Sequence, residues 1–541
     1  MSAAVLDPTR TAARERLGRN FAAFERLRDR AQADLGSGRA ARAAAWVQTA
    51  ADQAWFNPGG HFADAALEDM VLELAGSVPR AAGRAPHAPG DRPRVLHVVT
   101  QAYQTGGSTQ FVASWADQDT TRDHHVCLTR QGPVAVPAKL TAREGSRLTL
   151  ERVDTVAGLL RRAARLRTLA RTSDLVLVHA HPYDVVPGLA FTGVPDLPPV
   201  TYVNHADHVF WLGTSYTSVL LNMRRSGAEL AVGRRGVDPS RCATLARPLD
   251  PRGRTSSRTE AKQRLGLAAG QVLVVTAADA SKYCPVSGPS LLDLVLPTIR
   301  AHPDAVLLAA GPEPDGEWAE AERSTSGRVR ALGLLDDPSL VQQAADVYLD
   351  SFPFSSLTSL LEVGSLGTPV VTYAGHPAGC DVFGADTPEV EDHMHRPTTP
   401  AELETTLAAL LDDPTLRTTS GAAVEASIAS SHTGTGWRAA LDEFVRSTAG
   451  AAAPGRSRPV DRREDEVDVL VLAVMERTSW SRGPEGSVRS HLSAFPTPVR
   501  VGLAAGLVRR GARPAARDLV PDHLRPALAR ARAVTRPRRA R

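Results

Sequence analysis

Hydrophobic and polar positions change rhythm along the chain. Up to about residue 80 the apolar residues keep helical spacing, with Phe21, Phe24, Leu27, Ala31 and Leu35 on one face. WFNPGGHF at 55–62 reads as a turn, and LEDMVLELAG as a further helix ended by Gly76 and Pro79. Residues 81–93 are rich in Pro, Gly and Ala and read as a linker. From RVLHVVT at 94–100, short apolar runs alternate with helical ones. HHVCLT, LVLVHAH and VTYVNHA read as strands, Val153 to Thr172 as a helix, Ser215–Ser226 as another helix, and LAVG as a strand ending near Gly233. The polar, turn-rich RPLDPRGRTSSR at 247–258 reads as a hinge. A second alternating series follows, from VLVVTAAD through AVLLAAG, VRALGLL, SLVQQAA and AELETTLAALL to the amphipathic WRAALDEFVRSTA at 437–449. Strands alternating with helices predict an α/β protein with two Rossmann-like, doubly wound parallel sheets. Beyond residue 450 the composition becomes that of a linker. VDVLVLAV reads as one strand, and the chain from Val499 as an Arg-rich helix. The expected domains are a helical extension over 1–92, Rossmann-like domains over 93–250 and 251–449, and a linker with a basic tail over 450–541.

The most informative stretch is DVYLDSFPFSSLTSLLEVGSLGTPVVTY, from Asp346 to Tyr373. Its pattern is strand, loop, helix, strand. Ser355, Ser356, Thr358 and Ser359 stand at the helix start, where hydroxyls and backbone N–H groups suit a phosphate. One turn on, Glu362 offers a carboxylate that can accept both hydroxyls of a ribose. The same spacing also describes an ordinary N-cap followed by one exposed glutamate.

FPFSSLTSLLEVGSLGTPVV resembles the nucleotide-binding segment of GT-B glycosyltransferases, in particular the O-linked N-acetylglucosamine transferase-like group and the large family 4. In the first group a His-Thr-Thr run meets the diphosphate and an acid on the same helix holds the ribose. Thr358, Ser359 and Glu362 match the two hydroxyl positions and the acid, whereas Leu357 stands at the His position. Of the two glutamates of family 4, Glu362 matches the second, and Phe354 stands at the first. The resemblance also implies that Lys282, in ASKYCP after a strand, meets the donor diphosphate without a metal. It places the base of the nucleotide, expected to be UDP-linked, against the backbone of Arg330 to Leu334, centred on Leu332. Ser356 joins the donor set.

The N-terminal half carries fewer signals. Gly106 and Gly107 form a glycine turn between a first strand and a helix, which lets backbone approach a ligand closely. In the GT-B resemblance this loop faces the donor when the two halves close. VHAHPYD carries His179, His181 and Asp184, and VNHADHVFW carries Asn204, His205, Asp207 and His208. His205 and His208 are the candidate bases for an acceptor hydroxyl; a structural role for strand-end histidines is the alternative. No ligand spacing for a metal appears.

Composition narrows the setting. A chain of 541 residues accommodates two or three domains. Four scattered cysteines point to a reducing compartment and exclude a disulfide framework. No secretory leader or membrane span is expected, since no apolar run approaches roughly 18 residues. Lysine occurs only at 139, 262 and 282. Residues 500–541 hold twelve arginines against two acids, a net +10 where the whole chain has +4. A basic amphipathic tail suits an anionic membrane surface; a solvated tail is the alternative, and nucleic acid is not expected. The resulting expectation is a cytoplasmic glycosyltransferase of the hexosyltransferase type, with peripheral attachment at the inner face of the membrane as the option that the basic tail adds. It would transfer sugar from a nucleotide sugar to a glycan, lipid-linked or protein acceptor in cell-envelope glycan, polysaccharide or glycoconjugate synthesis. The alternatives are a non-catalytic GT-B accessory subunit and a nucleotide-sugar 2-epimerase.

Overall fold

The computed structural model describes residues 8–80, 92–104, 107–145, 147–250, 253–285, 288–477 and 482–528. The chain divides into two compact units. The first comprises Met1–Asn222, Gly227–Thr244 and Glu443–Arg541; the second comprises Met223–Ser226 and Leu245–Asp442.

The first unit is built on a seven-stranded parallel sheet. Its strands are β1 (Arg94–Val99), β2 (Asp123–Leu128), β3 (Leu148–Arg152), β4 (Leu175–His179), β5 (Val200–Val203), β6 (Val219–Asn222) and β7 (Cys242–Thr244). They lie in the order β3-β2-β1-β4-β5-β6-β7. Strand order reverses at β1 and β4, and an open α/β sheet presents a crevice at that point, beyond the C-terminal strand ends. β1, β4, β5 and β6 are nearly wholly buried, as strands covered on both faces must be.

Helices Pro8–Gly36, Ala40–Phe56 and Ala65–Ala75 do not form a separate body. Phe24, Leu27, Ala31, Ala44, Ala51, Leu67 and Leu74 share one apolar core with Val98, Val178 and Tyr202 of the sheet. Glu68 caps the loop between β5 and β6 from within this core. Its carboxylate accepts from the N–H of Gly213 (2.5 Å) and Thr214 (2.9 Å) and from the Ser215 hydroxyl (2.5 Å). The C-terminal segment joins the same core through Val488, Leu492, Phe495, Ala504 and Leu507.

The second unit holds a five-stranded parallel sheet in the order β10-β9-β8-β11-β12. Its strands are β8 (Val272–Ala277), β9 (Ala305–Ala310), β10 (Val329–Ala331), β11 (Val347–Leu349) and β12 (Val370–Val371). Here the order reverses at β8 and β11. Gly311, at φ 122°, lets the loop after β9 cross the loop after β8: a Cβ there would fall 1.7 Å from the Ala278 carbonyl oxygen. Helix Gly434–Thr448 carries the chain from the second unit to the first.

Three sequence expectations are corrected. Residues 215–226 are not a helix: VLLN at 219–222 is β6, buried at every position. LAVG is not a strand but lies in helix Arg225–Arg235, where burial selects one side, including Leu230 and Ala231. VDVLVLAV forms helix Glu466–Arg477 instead of a strand. In each case a short, continuous apolar run carries no period that separates a strand from a buried helix. In the last, a helix satisfies its own backbone hydrogen bonds where β3 and β7 already end the sheet.

Candidate active site

The second sheet's switch point gathers most of the expected donor residues. Lys282 lies in the loop after β8, and Asp350 to Leu357 form the loop after β11. Two contacts tie the loops together: Phe354 N–H donates to the Lys282 carbonyl (3.3 Å), and Lys282 Nζ donates to the Ser355 carbonyl (2.7 Å). The ammonium also stands 4.1 Å from the Phe354 ring centroid. Thus Phe354, at the position of the missing family 4 glutamate, presents a π face to the lysine.

Asp350 organises this loop and was not singled out in the sequence. It is 1% exposed and accepts from Ser351 N–H (2.9 Å), Ser356 N–H (2.9 Å) and the Ser355 hydroxyl (2.6 Å). Ser356 Oγ pairs with the Tyr348 hydroxyl (2.8 Å), so it braces the loop from inside. Leu357, at the position of the expected His, has φ 49° and ψ −65°. A non-glycine residue in that region stores strain, which concentrates at functional loops. Thr358 and Ser359 open helix Thr358–Gly364, both half-buried. Glu362, also half-buried, accepts from Gln342 Nε2 (3.1 Å). Arg247 is a further member: burial brings its guanidinium down to about 10, and the charge of Glu362 acts in the opposite sense. The Leu332 N–H donates to Ala309 O (2.8 Å), while Leu334 two residues on is 79% exposed.

The first unit contains a cavity of about 700 Å³ at its own switch point. Gln101 and Tyr103 follow β1, Arg130 to Pro133 follow β2, His179 to Tyr183 end β4, and His205 and Ala206 follow β5. Gly107 and Ser108 line it at the start of helix Gly107–Gln118, whereas Gly106 lies outside the described residues. The N-terminal helices contribute Asp52, Trp55 and Phe56, and the C-terminal segment Arg482, Ser490, Asp522 and Arg525. Sequence reading assigned neither segment a place at a site, because nothing in their local pattern reports a long-range contact.

Aromatic faces and paired charges characterise this cavity. His181 stacks on Tyr103 at 5.9 Å between ring centroids and lies 5.6 Å from Trp55. Burial, with Arg130 adding to it, lowers His181 to about 4, so the ring is neutral at ordinary pH. Asp52 lies 3.1 Å from His491 Nε2 and 3.9 Å from Arg482; against the cost of burial, these two keep its carboxyl below the usual range. Arg130 donates to the Tyr183 hydroxyl (3.3 Å) and the Ser490 carbonyl (2.7 Å) and stands 3.8 Å from Asp522. Of the two candidate bases, His205 lines the cavity. His208 pairs with Asp207 (3.3 Å) outside its lining. Asp184 caps helix Val185–Phe191 and accepts from Thr100 (2.7 Å) and Thr129, a structural role. Among the described residues, no three His, Cys, Asp or Glu side chains form a metal-binding group.

No protein-family model and no curated protein sequence matches the chain. Solved structures do. Anabaena HepE in complex with UDP matches with a TM-score of 0.51 and 16% identity, over 65% of this chain and 100% of that one. HepE with UDP and glucose gives a TM-score of 0.50 and 16% identity, over 65% and 99%. The fold is GT-B. A mutant of the O-GlcNAc transferase of Thermobaculum terrenum also matches, with 17% identity over 79% of this chain and 84% of that one, at a TM-score of 0.46. The expected two Rossmann-like sheets are therefore those of the GT-B fold, with helices before and after them packed into the first unit.

Proposed function

We propose that this chain is a glycosyltransferase that moves a sugar from a UDP-linked donor to an acceptor hydroxyl without a metal ion. The observation that carries the reading is the convergence, at the switch point of the second sheet, of Lys282 with the loop that leads to Thr358, Ser359 and Glu362. Lys282 and the two hydroxyl residues would meet the diphosphate, stabilising charge as the nucleotide departs. Glu362 would hold the ribose. The base would lie by Leu332 and cover the exposed Leu334. HepE, with the same fold, was solved with UDP.

The first unit would take the acceptor. Trp55, Tyr103 and His181 offer flat apolar faces, and the Asp–Arg pairs offer donors and acceptors for hydroxyls, a combination that suits a sugar ring. His205 would be the base and Gly107 the close backbone approach. His208 stands outside the cavity lining and would not touch the acceptor there. A thermal-shift panel of nucleotide sugars tests the reading. A saturating UDP-sugar at about 100 times its Kd would add roughly 2.7 kcal/mol of stability. No shift with any nucleotide sugar would refute it. Binding without turnover favours the accessory subunit, and interconversion at the sugar C2 without an acceptor favours the epimerase.

A peripheral membrane position at the inner face, as in cell-envelope synthesis, has one observation in its favour. Helix Thr497–Arg509 buries Arg500, Ala504 and Leu507 but exposes Val501 (59%) and Val508 (60%), next to exposed Arg509, Arg510, Arg513 and Arg517. No helix among the described residues is long and apolar enough to cross a membrane. Because the tail carries core residues, its deletion would damage the fold. Val501→Asp with Val508→Asp is the usable variant, and it should abolish sedimentation with anionic vesicles at low salt. Unchanged sedimentation would exclude this face.

A further inference from the structure

Four imidazoles cross the first sheet in one hydrogen-bonded line. His124 Nδ1 lies 3.0 Å from His97 Nε2, His97 Nδ1 lies 3.2 Å from His179 Nε2, and His179 Nδ1 lies 2.9 Å from His205 Nε2. The line runs over adjacent strands, from β2 through β1 and β4 to the end of β5. Strand register explains it. His124 sits opposite Val95, two residues before His97; His97 sits opposite Leu177, two residues before His179. A two-residue step keeps the same face of a sheet, so the rings climb diagonally toward the C-terminal strand ends. Phe111 packs on His179 and His205 at 5.6 and 5.0 Å, and Trp115 on His97 at 6.2 Å.

The two ends differ. At the lower end His124 Nε2 faces acceptors, the Asp119 carbonyl at 3.4 Å and the Asp119 carboxylate at 3.8 Å. That carboxylate is anchored by Arg122 (3.2 Å) and the Thr121 hydroxyl (2.9 Å). At the upper end His205 lines the cavity. Burial lowers His97, His124 and His179 below the ordinary imidazole range, so these three rings are neutral. A neutral imidazole has one N–H and one acceptor nitrogen. Facing Asp119, His124 must carry its proton on Nε2, which makes Nδ1 an acceptor. His97 must then donate from Nε2, and the same rule passes to His179 and to His205. The polarity of the whole line is set by Asp119, and Nδ1 becomes the basic nitrogen of His205.

We propose that His179, His97 and His124, oriented by Asp119, are positioning residues that hold His205 with its lone pair on Nδ1, ready to take the proton of the acceptor hydroxyl. This rests on the glycosyltransferase reading. In the step, the acceptor O–H breaks and a proton forms Nδ1–H on His205. The oxygen electron pair forms the bond to the anomeric carbon as the bond from that carbon to the diphosphate oxygen breaks, and the nucleoside diphosphate leaves with the electron pair of the broken bond. The resulting imidazolium keeps donating from Nε2 to His179, whose polarised chain stabilises it.

The test is a long-range proton–nitrogen correlation spectrum of the full chain labelled with 15N-histidine, with His205 assigned through His205→Gln. All four rings should show a protonated Nε2 and an unprotonated Nδ1. A protonated Nδ1 on neutral His205 overturns the proposal, whatever reaction the chain performs. His97→Leu, which interrupts the line, should lower kcat for UDP release by about 10–100-fold, as loss of an orienting partner does, and leave the KM for the donor unchanged. Unchanged kcat also overturns it. Absence of any UDP release, with the expected tautomers, would count against the glycosyltransferase reading alone.

Discussion

Lys282→Ala probes the donor site most sharply. The wild-type ammonium donates to the Ser355 carbonyl at 2.7 Å and stands 4.1 Å from the Phe354 ring centroid. A hydrogen bond from a charged group contributes about 1.5–3 kcal/mol, and a partly exposed cation–π contact about 0.5–1 kcal/mol. Because Lys282 is only half-buried, the lower ends apply, and the loop should lose about 2 kcal/mol of local order. The chemical loss is separate. Removing one preorganised group that stabilises transition-state charge slows catalysis by about 10²–10³-fold, or about 2.7–4 kcal/mol. The assay pairs calorimetric UDP affinity with the rate of UDP release from a UDP-sugar. Lys282→Arg should recover part of the affinity but not the full rate, since a planar guanidinium does not replace a compact ammonium. Wild-type affinity and rate in Lys282→Ala would refute the placement of the diphosphate.

Glu362→Ala should weaken UDP binding by about 1.5–3 kcal/mol, the cost of a charge-assisted hydrogen bond, and leave the affinity for inorganic diphosphate unchanged; competition binding checks both. Acid should destabilise the protein through its buried histidines. His181 is held at about 4 against an ordinary 6.5, so below about 6.5 the unfolded chain binds a proton that the folded chain does not. Stability from this residue is complete above 6.5 and falls with pH down to about 4, by about 1.4 kcal/mol per pH unit. His97, His124 and His179 act in the same direction, so denaturant midpoints should drop between pH 7 and pH 5. A flat midpoint over that range contradicts the buried, neutral assignment.

Much of the architecture was legible because parallel sheets write themselves as apolar runs. β1, β2, β4, β5, β8 and β9 all coincide with runs read as strands. Failures fell where the run was too short or too uniform to show a period: VLLN became β6, and VDVLVLAV became a helix. Lys282 could be singled out by its rarity and by its place after a strand. Asp350 could not, since its function is to gather N–H groups from residues one to six positions on. The cavity was legible only in part. His205 and Gly107 follow strand ends, but Trp55 and Arg482 reach the same space from segments hundreds of residues apart in the chain. The histidine line was hidden for the same reason: its members were visible one by one, and only register brings them into a row.

The most direct measurement is UDP release from a panel of UDP-sugars by the full chain, with and without added acceptor glycans, alongside Lys282→Ala and His205→Gln. The account predicts release with at least one UDP-sugar, faster with an acceptor, and at least a hundredfold slower in Lys282→Ala. It predicts slower release in His205→Gln with UDP affinity unchanged. Absence of UDP binding and of release across the panel would contradict it.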